Sequence, residues 1–208
     1  LNMGFDLYGE KPIQNEFKHQ ERWDELSSMS YDERESKGLS DEYYTLMTKY
    51  EDVNPGAYFR NNVWWWRPLW SFVCEHCEDI LTEKDMNGGC YNDAHVISRR
   101  KAEAIAKRLE DVIETEETKM WIKEHMDTLE QAKRNNKQVE AELEELKKLV
   151  EVETGNPDIY PAIYPDKFKK KYDEVYAKRD WASSYPFHKD NVINFINFAR
   201  QSGGFSIC

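Results

Sequence analysis

The sequence has no uninterrupted apolar run of about 18 residues, the length that a membrane-spanning helix requires. Its first residues, LNMGFDLYGEKP, lack the basic and then apolar order of a secretory signal. Cysteine is scarce, and the spacing of the four cysteines does not resemble a disulfide framework. They are Cys74, Cys77, Cys90 and Cys208. We therefore expect reduced thiols in a cytoplasmic protein that does not enter membranes.

The common catalytic motifs are missing as well. The sequence contains no H-E-x-x-H metal motif, no phosphate-binding P-loop and no G-x-S-x-G nucleophile elbow. The best local candidate for acid–base chemistry is the string NDAH, in which Asp93 could orient His95 as a general base. The same string is typical of a turn in which Asn92 and Asp93 bond their own backbone, and we favour the turn. The sequence therefore indicates neither an enzyme nor a cofactor.

Three of the cysteines and one histidine have the ligand types that suit tetrahedral zinc. They follow the pattern C-x2-C…C-x4-H through Cys74, Cys77, Cys90 and His95. However, Cys74 and Cys77 fall within an apolar run of helical period, where cysteine commonly serves as a small hydrophobic residue. We therefore predict no bound metal, and these four residues remain the candidates under a metal-dependent alternative.

Acidic residues are missing from one stretch of an otherwise acidic chain. The protein carries 40 acidic residues against 29 lysines and arginines, a net charge of −11, which argues against general nucleic-acid binding. Residues 53–74 nevertheless contain no Asp or Glu, while they include Arg60, Arg67 and seven aromatic residues. This local reversal of charge indicates an affinity for an anionic group.

Three consecutive tryptophans lie at the centre of this acid-free stretch. In a strand or a helix, at least one of them faces away from the first core that it meets. Flat rings stack on nucleobases and a guanidinium forks onto phosphate, so one interpretation is a pocket for a small anionic, nucleotide-like ligand. The other is a tryptophan-rich core whose arginines stack on indoles and pair with the acidic N-terminal region. The predicted pocket comprises Arg60, Asn61, Asn62, Trp64, Trp65, Trp66, Arg67, Asn92 and His95.

Hydrophobic periodicity predicts a mainly α-helical protein with a small antiparallel sheet, an α+β fold. Alternating apolar residues place Phe5 and Leu7 on one short strand, in MGFDLYG, and Phe205 and Ile207 on another. Because a lone strand is unstable, we expect the two termini to pair in the sheet. Helices are predicted to begin near Ser40, Pro68, Ser98, Asp166 and Asp190.

The helical tract after Ser98 is too long to form one rod within a domain. A break near Thr115–Thr118 and a helical hairpin are therefore expected. Residues 1–114 and 156–208 are predicted to form a single globular domain, with 115–155 as an inserted helical arm that projects from it. An amphipathic arm of this kind packs on itself or on a second subunit, so we expect a homo-oligomer.

Several strings of the chain together resemble a family of uncharacterised proteins encoded by tailed bacteriophages and prophages. They are MGFDLYG, GAYFRNNVWWWRPLW, YNDAHVIS with KAEAIAKRL, and YPFHKDNVINF with SGGFSIC. The family has no assigned activity, so the resemblance implies no catalytic residue. Many members hold cysteine knuckles in the middle segment, whereas residues 115–155 contain no cysteine here. What the resemblance implies is a phage protein that acts on host machinery or blunts host defence.

Three functions are compatible with these patterns. The first is a non-enzymatic binding protein that sequesters a nucleotide-derived signal of the host's immune response. The second is a protein-interaction module whose helical arm binds and inhibits a host protein. The third is a metal-dependent enzyme. We favour the first, because the acid-free aromatic stretch is the least ordinary feature of the sequence.

Overall fold

The structure, a computed structural model, describes residues 4–208 and shows a mainly helical protein with a small sheet. Its helices are α1 Gln20–Ser28, α2 Tyr31–Ser36, α3 Ser40–Val53, α4 Val63–His76, α5 Glu83–Gly88, α6 Arg99–Val112, α7 Glu116–Thr154, α8 Asp166–Tyr176 and α9 Lys189–Gln201. Short 3₁₀ turns occupy Pro161–Ile163 and Trp181–Ser184. The strands are β1 Gly4–Gly9, β2 Tyr58–Asn62, β3 His95–Ser98 and β4 Gly204–Ile207. No helix within residues 4–208 combines the length and the apolar character needed to cross a bilayer.

The four strands form one antiparallel sheet in the order β2-β1-β4-β3. The two terminal strands are its central pair, with Leu7 opposite Ile207. The predicted α+β class and the pairing of the termini are thus confirmed. Met3, which belongs to the predicted N-terminal strand string, lies outside the described residues.

One face of the sheet carries the core of the protein. Its inward side chains are buried, and they are Phe5, Leu7, Phe59, Ile97, Phe205 and Ile207. Phe59 lies 5.6 Å from Phe195 of α9, and Phe5 stacks 5.4 Å from Trp66 of α4. Each buried aromatic or branched side chain contributes roughly 1.5–3 kcal/mol to folding. Period-2 alternation directs Tyr8, Tyr58 and Arg60 to the opposite face.

Helix α4 starts earlier than the sequence predicts, at Val63 instead of Pro68. The side-chain oxygen of Asn62 accepts hydrogen bonds from the backbone N–H groups of Trp64 and Trp65, at 3.0 and 3.1 Å. This N-cap satisfies two donors of the first turn. Pro68 therefore lies inside the helix, where its nitrogen has no hydrogen to donate to a carbonyl oxygen of the preceding turn. The cap places all three tryptophans on a helix, about 100° apart around its axis.

The chain divides into two compact units. The first unit contains the residues up to Lys119 and Phe187–Cys208, and the second unit contains Met120–Pro186. Helix α6 ends at Val112 and α7 begins at Glu116, close to the predicted break. The second unit differs from the predicted arm of 115–155, because it also contains the segment that follows α7. The reason is burial: Ile159 and Tyr164 pack with Val150 of α7 in one cluster.

Within the second unit, α7 and the returning segment run antiparallel. Lys167 pairs with Glu153 at 2.6 Å, and further along the chain Lys178 pairs with Glu142 at 2.8 Å. Asn136 is buried, and its side-chain amide donates to the carbonyl oxygen of Asp180 at 2.9 Å and accepts from the N–H of Asp180 at 2.8 Å. The hairpin of the second unit is therefore formed by α7 and the segment that contains α8, with its turn after Thr154.

Candidate functional site

The three consecutive tryptophans have three different surroundings. Trp66 is fully buried and stacks on Trp70 with ring centroids 5.3 Å apart. Trp65 is half-buried and stacks on His188 at 4.6 Å. Trp64 is 40% exposed. As expected for consecutive residues, only part of the triplet enters the first core, and the three indoles do not form one binding surface.

The buried pair of indoles is fixed by α5 and by the residue that follows it. The indole nitrogen of Trp66 donates to the carbonyl oxygen of Gly89 at 2.7 Å, and that of Trp70 donates to Met86 at 2.9 Å. A Cβ at Gly89 would overlap the indole ring of Trp70. Glycine is thus required here for a close approach of backbone to ring. Both indole N–H groups are satisfied internally, which leaves their ring surfaces for packing.

A hollow of about 330 Å³ lies beside this pair, and we call it the tryptophan hollow. Its lining is Trp66, Arg67, Trp70, Ser71, Gly89, Cys90 and Tyr91. Tyr91 is 65% exposed at the rim, and Arg67 is also exposed. The described residues that line it include a guanidinium and no carboxylate. The hollow therefore presents the exposed ring of Tyr91 and a guanidinium, beside two indoles that are buried or nearly so.

Arg60, the other arginine of the acid-free stretch, lies elsewhere. It is on the outward face of β2, where its Nε is 3.4 Å from a carboxylate oxygen of Asp6. The same carboxylate accepts a hydrogen bond from the hydroxyl of Tyr58. The prediction grouped Arg60 with Arg67 in one pocket; the structure does not bring them together, because the strand ends at Asn62 and the helix starts there.

The three asparagines of the predicted pocket each have a structural hydrogen bond. Asn61 exchanges two side-chain hydrogen bonds with Asn191 of α9, at 3.0 and 2.7 Å. Asn62 is the N-cap of α4. The side-chain amide of Asn92 donates to the carbonyl oxygen of Gly4 at 2.7 Å. None of the three lines the tryptophan hollow.

His95 pairs with Asp85 instead of with Asp93, the acid that the sequence predicts as its partner. Its Nε2 lies 3.0 Å from a carboxylate oxygen of Asp85, and not of the neighbouring Asp93. Asp85 is buried and also accepts hydrogen bonds from Lys101 and from the hydroxyl and N–H of Thr82. Thr82 and Asp85 form a capping box at the start of α5. That box, T-x-x-D before a short helix, is the sequence signal that could have identified Asp85.

The surroundings of Asp85 set its protonation state. Burial alone raises the pKa of this carboxyl, but hydrogen bonds from Lys101, Thr82 and His95 outweigh burial and hold the pKa well below its ordinary value. Asp85 is therefore ionised throughout the neutral range. A buried carboxylate with four polar partners is well satisfied, and it fixes β3 and α6 against α5.

A second hollow of about 470 Å³ lies over this network, and we call it the histidine hollow. Its lining is Glu83, Lys84, Asn87, Gly88, Tyr91, Asp93 and His95. Tyr91 borders both hollows. The lining is polar and contains the acids Glu83 and Asp93 as well as Lys84. Unlike the tryptophan hollow, the histidine hollow therefore does not carry positive charge alone.

The predicted zinc candidates are not gathered at one point. Burial raises the pKa of Cys74 and of Cys77 to about 12, as expected of protonated thiols in a core. Cys90 is exposed in the tryptophan hollow, and His95 is bonded to Asp85. Residues 4–208 contain no group of three or more histidine, cysteine or acidic side chains placed to hold a metal ion.

Neither a family model, nor a curated protein, nor a solved structure matches the chain. The resemblance to phage proteins rests on the sequence strings alone and stays a prediction.

Proposed function

We propose that this protein binds a small anionic ligand with a flat ring in the tryptophan hollow. The observation that supports this function is the juxtaposition of Arg67 with the exposed ring of Tyr91 in a hollow whose described lining contains no carboxylate. Aromatic surfaces with one well-placed charge are the usual composition of small-molecule sites. In a protein of net charge −11, an anion needs such a local exception to bind.

The size of the hollow narrows the ligand class. Small-molecule sites have volumes of roughly 300–1,000 Å³, and the tryptophan hollow, at about 330 Å³, is near the lower limit. A single ring system with one phosphate or carboxylate group fits this volume better than a dinucleotide does. The ring would lie against Tyr91, and the anionic group would pair with Arg67.

The residues that line the tryptophan hollow favour binding of the ligand without a chemical reaction. Among the described residues that line the hollow, Cys90 is a nucleophile, but no histidine or carboxylate of the same lining could serve as its base. A protein that only binds acts by mass action, through its affinity and its abundance. In the context that the resemblance to phage proteins suggests, the ligand would be a nucleotide-derived immune signal, sequestered in the host cytoplasm.

Thermal unfolding with a ligand panel tests the proposal. The panel contains mononucleotides, ADP-ribose derivatives and cyclic dinucleotides, and a ligand that binds the folded state raises the melting temperature. We expect a mononucleotide-sized member to do so. Arg67→Gln should weaken its binding about tenfold, which corresponds to the loss of a charge-assisted hydrogen bond.

Arg60→Gln is the matched control, because it removes the other arginine of the acid-free stretch without touching the hollow. It should leave the affinity of the same ligand unchanged. An unchanged melting temperature with the whole panel at about 1 mM ligand, or equal losses in the two arginine variants, would contradict the proposal.

A further inference from the structure

The second unit contains a groove that the tryptophan hollow does not explain. It has a volume of about 600 Å³, and we call it the tyrosine groove. Its walls are Tyr160, Tyr164, Tyr172, Pro157 and Pro161, with Leu143 of α7 on the other side. Tyr164 meets Tyr172 edge to face, with ring centroids 5.8 Å apart. Tyr160 is 58% exposed on the rim.

The segment that forms the groove is held in place before any partner binds. Gly155 follows the last residue of α7 and has a positive φ, a backbone conformation that residues with a side chain rarely adopt. The side chain of Asn156 then accepts the N–H of Asp158 at 3.0 Å. Ile159 and Tyr164 are buried and anchor the segment to α7. A rigid groove of this kind loses little conformational entropy when a partner binds.

The polar residues of the groove are mostly acidic. Glu140, Glu144 and Asp158 line it, against a single cation, Lys147. Residues outside the lining pair with charges of both signs: Lys147 lies 3.5 Å from Glu151, Glu140 lies 3.3 Å from Arg179, and Glu144 lies 4.0 Å from Lys148. The groove therefore keeps a small excess of negative charge. Both the groove and the protein as a whole, with its net charge of −11, favour a cationic partner.

We propose that the tyrosine groove binds a proline-rich, positively charged peptide segment of a partner protein. Polyproline II segments bind grooves lined by aromatic side chains, because their flat rings pack on aromatic faces and their helix is formed in advance. A four-residue P-x-x-P core spans about 9 Å at 3.1 Å per residue. Arginine or lysine beside the prolines pairs with the acids. This inference uses residues of the second unit alone and is independent of the small-ligand proposal.

Peptide titration against the full chain tests the inference. The probes are two fluorescent peptides, one with arginine before a P-x-x-P core and one with arginine after it. Their binding is measured by fluorescence anisotropy. Versions with both prolines changed to alanine, or with arginine changed to glutamate, are the comparison peptides. We expect micromolar binding of one arginine peptide, and binding about tenfold weaker for each of its altered versions.

Variants of the protein assign the binding to the groove. Tyr160→Ala should weaken the binding of the arginine peptide about tenfold. Because the ring lies on the exposed rim, the melting temperature of the protein should not change. Tyr31→Ala removes a ring of equal exposure, 59%, from the first unit and should have no effect. Glu144→Lys should also weaken binding. Glu145→Lys changes the net charge equally at the next position, outside the lining of the groove, and should not.

Three outcomes would overturn the inference. One is the failure of both arginine peptides to bind at about 1 mM. Another is equal binding of the proline and alanine versions. The third is a dimer, detected by native mass spectrometry and dissociated by Tyr160→Ala, since a second copy of this chain would then occupy the groove.

Discussion

The indole nitrogen of Trp66 donates a hydrogen bond of 2.7 Å to the carbonyl oxygen of Gly89, across the edge of the tryptophan hollow. The bond joins the first turn of α4 to the backbone that carries Cys90 and Tyr91, which line the hollow. The shape of the hollow therefore depends on how closely the Gly89 backbone approaches the indoles.

This close approach predicts a severe effect of Gly89→Ala. The added Cβ would overlap the indole of Trp70, and overpacking of this kind costs about 2 kcal/mol of unfolding free energy. Trp70→Ala in the same chain removes the overlapping ring, so the double variant should lose less stability than the two single losses added together. Chemical denaturation of the wild type and the three variants measures this coupling. Simple additivity of the two single losses would show that the predicted overlap does not exist.

The network around Asp85 predicts a pH dependence of stability. Because the folded state holds the pKa of Asp85 below its unfolded value, the carboxylate contributes stability above an unfolded pKa of about 3.9, and this contribution is lost as the pH falls through the folded pKa. Asp85→Asn should cost about 2 kcal/mol at pH 7. It should also flatten the decline of stability between neutral and acidic pH. Denaturant melts across this pH range measure both effects.

Asp93→Asn is the control for that experiment. Asp93 is exposed and is the acid that the sequence alone pairs with His95, whereas the structure pairs His95 with Asp85. The Asp93 variant should therefore stay within about 0.5 kcal/mol of the wild type at every pH. A larger loss in Asp93→Asn than in Asp85→Asn would reverse the assignment.

The thiols are expected to differ sharply in reactivity. With a pKa of about 12, the buried Cys77 has roughly one thiolate in ten thousand molecules at pH 8. Cys90 is exposed in the tryptophan hollow and should alkylate first. Mass spectrometry after brief treatment with iodoacetamide identifies the modified residue, and Cys90→Ser should remove the fast phase. A ligand bound in the hollow should slow this phase, whereas modification of Cys77 before Cys90 would contradict the assigned burial.

The two terminal strands were predictable from local patterns, but the strands β2 and β3 and the register of the sheet were not. Alternation around Phe5 and Leu7 and around Phe205 and Ile207 marks two strands with one apolar face each. The pairing of Leu7 with Ile207 joins opposite ends of the chain. No local signal specifies such a pair, which depends on how the helices between them pack.

Residues of the candidate site were predictable only where they are neighbours on one helix. Trp66 and Arg67 were selected because they are neighbours on the acid-free stretch. The sequence does not place Gly89, Cys90 and Tyr91 beside these two residues. No sequence pattern indicates that a glycine will approach a ring that is distant along the chain. The change from strand to helix at Asn62 separates Arg60 from Arg67, and spacing alone does not reveal which face each residue takes.

The second unit offers a test by two adjacent asparagines. Asn136 is 6% exposed, and its side chain donates to the carbonyl oxygen of Asp180 and accepts its N–H. Asn136→Ala leaves both backbone groups without these partners, so it should cost about 2–3 kcal/mol of unfolding free energy. Asn135→Ala changes the same residue type at an exposed position and should cost less than about 0.5 kcal/mol. Hydrogen exchange should show faster exchange around Trp181–Ser184 in the first variant only, because Asn136 holds the residue that caps this turn. Equal stability of the two variants would mean that the returning segment stays on α7 without these bonds.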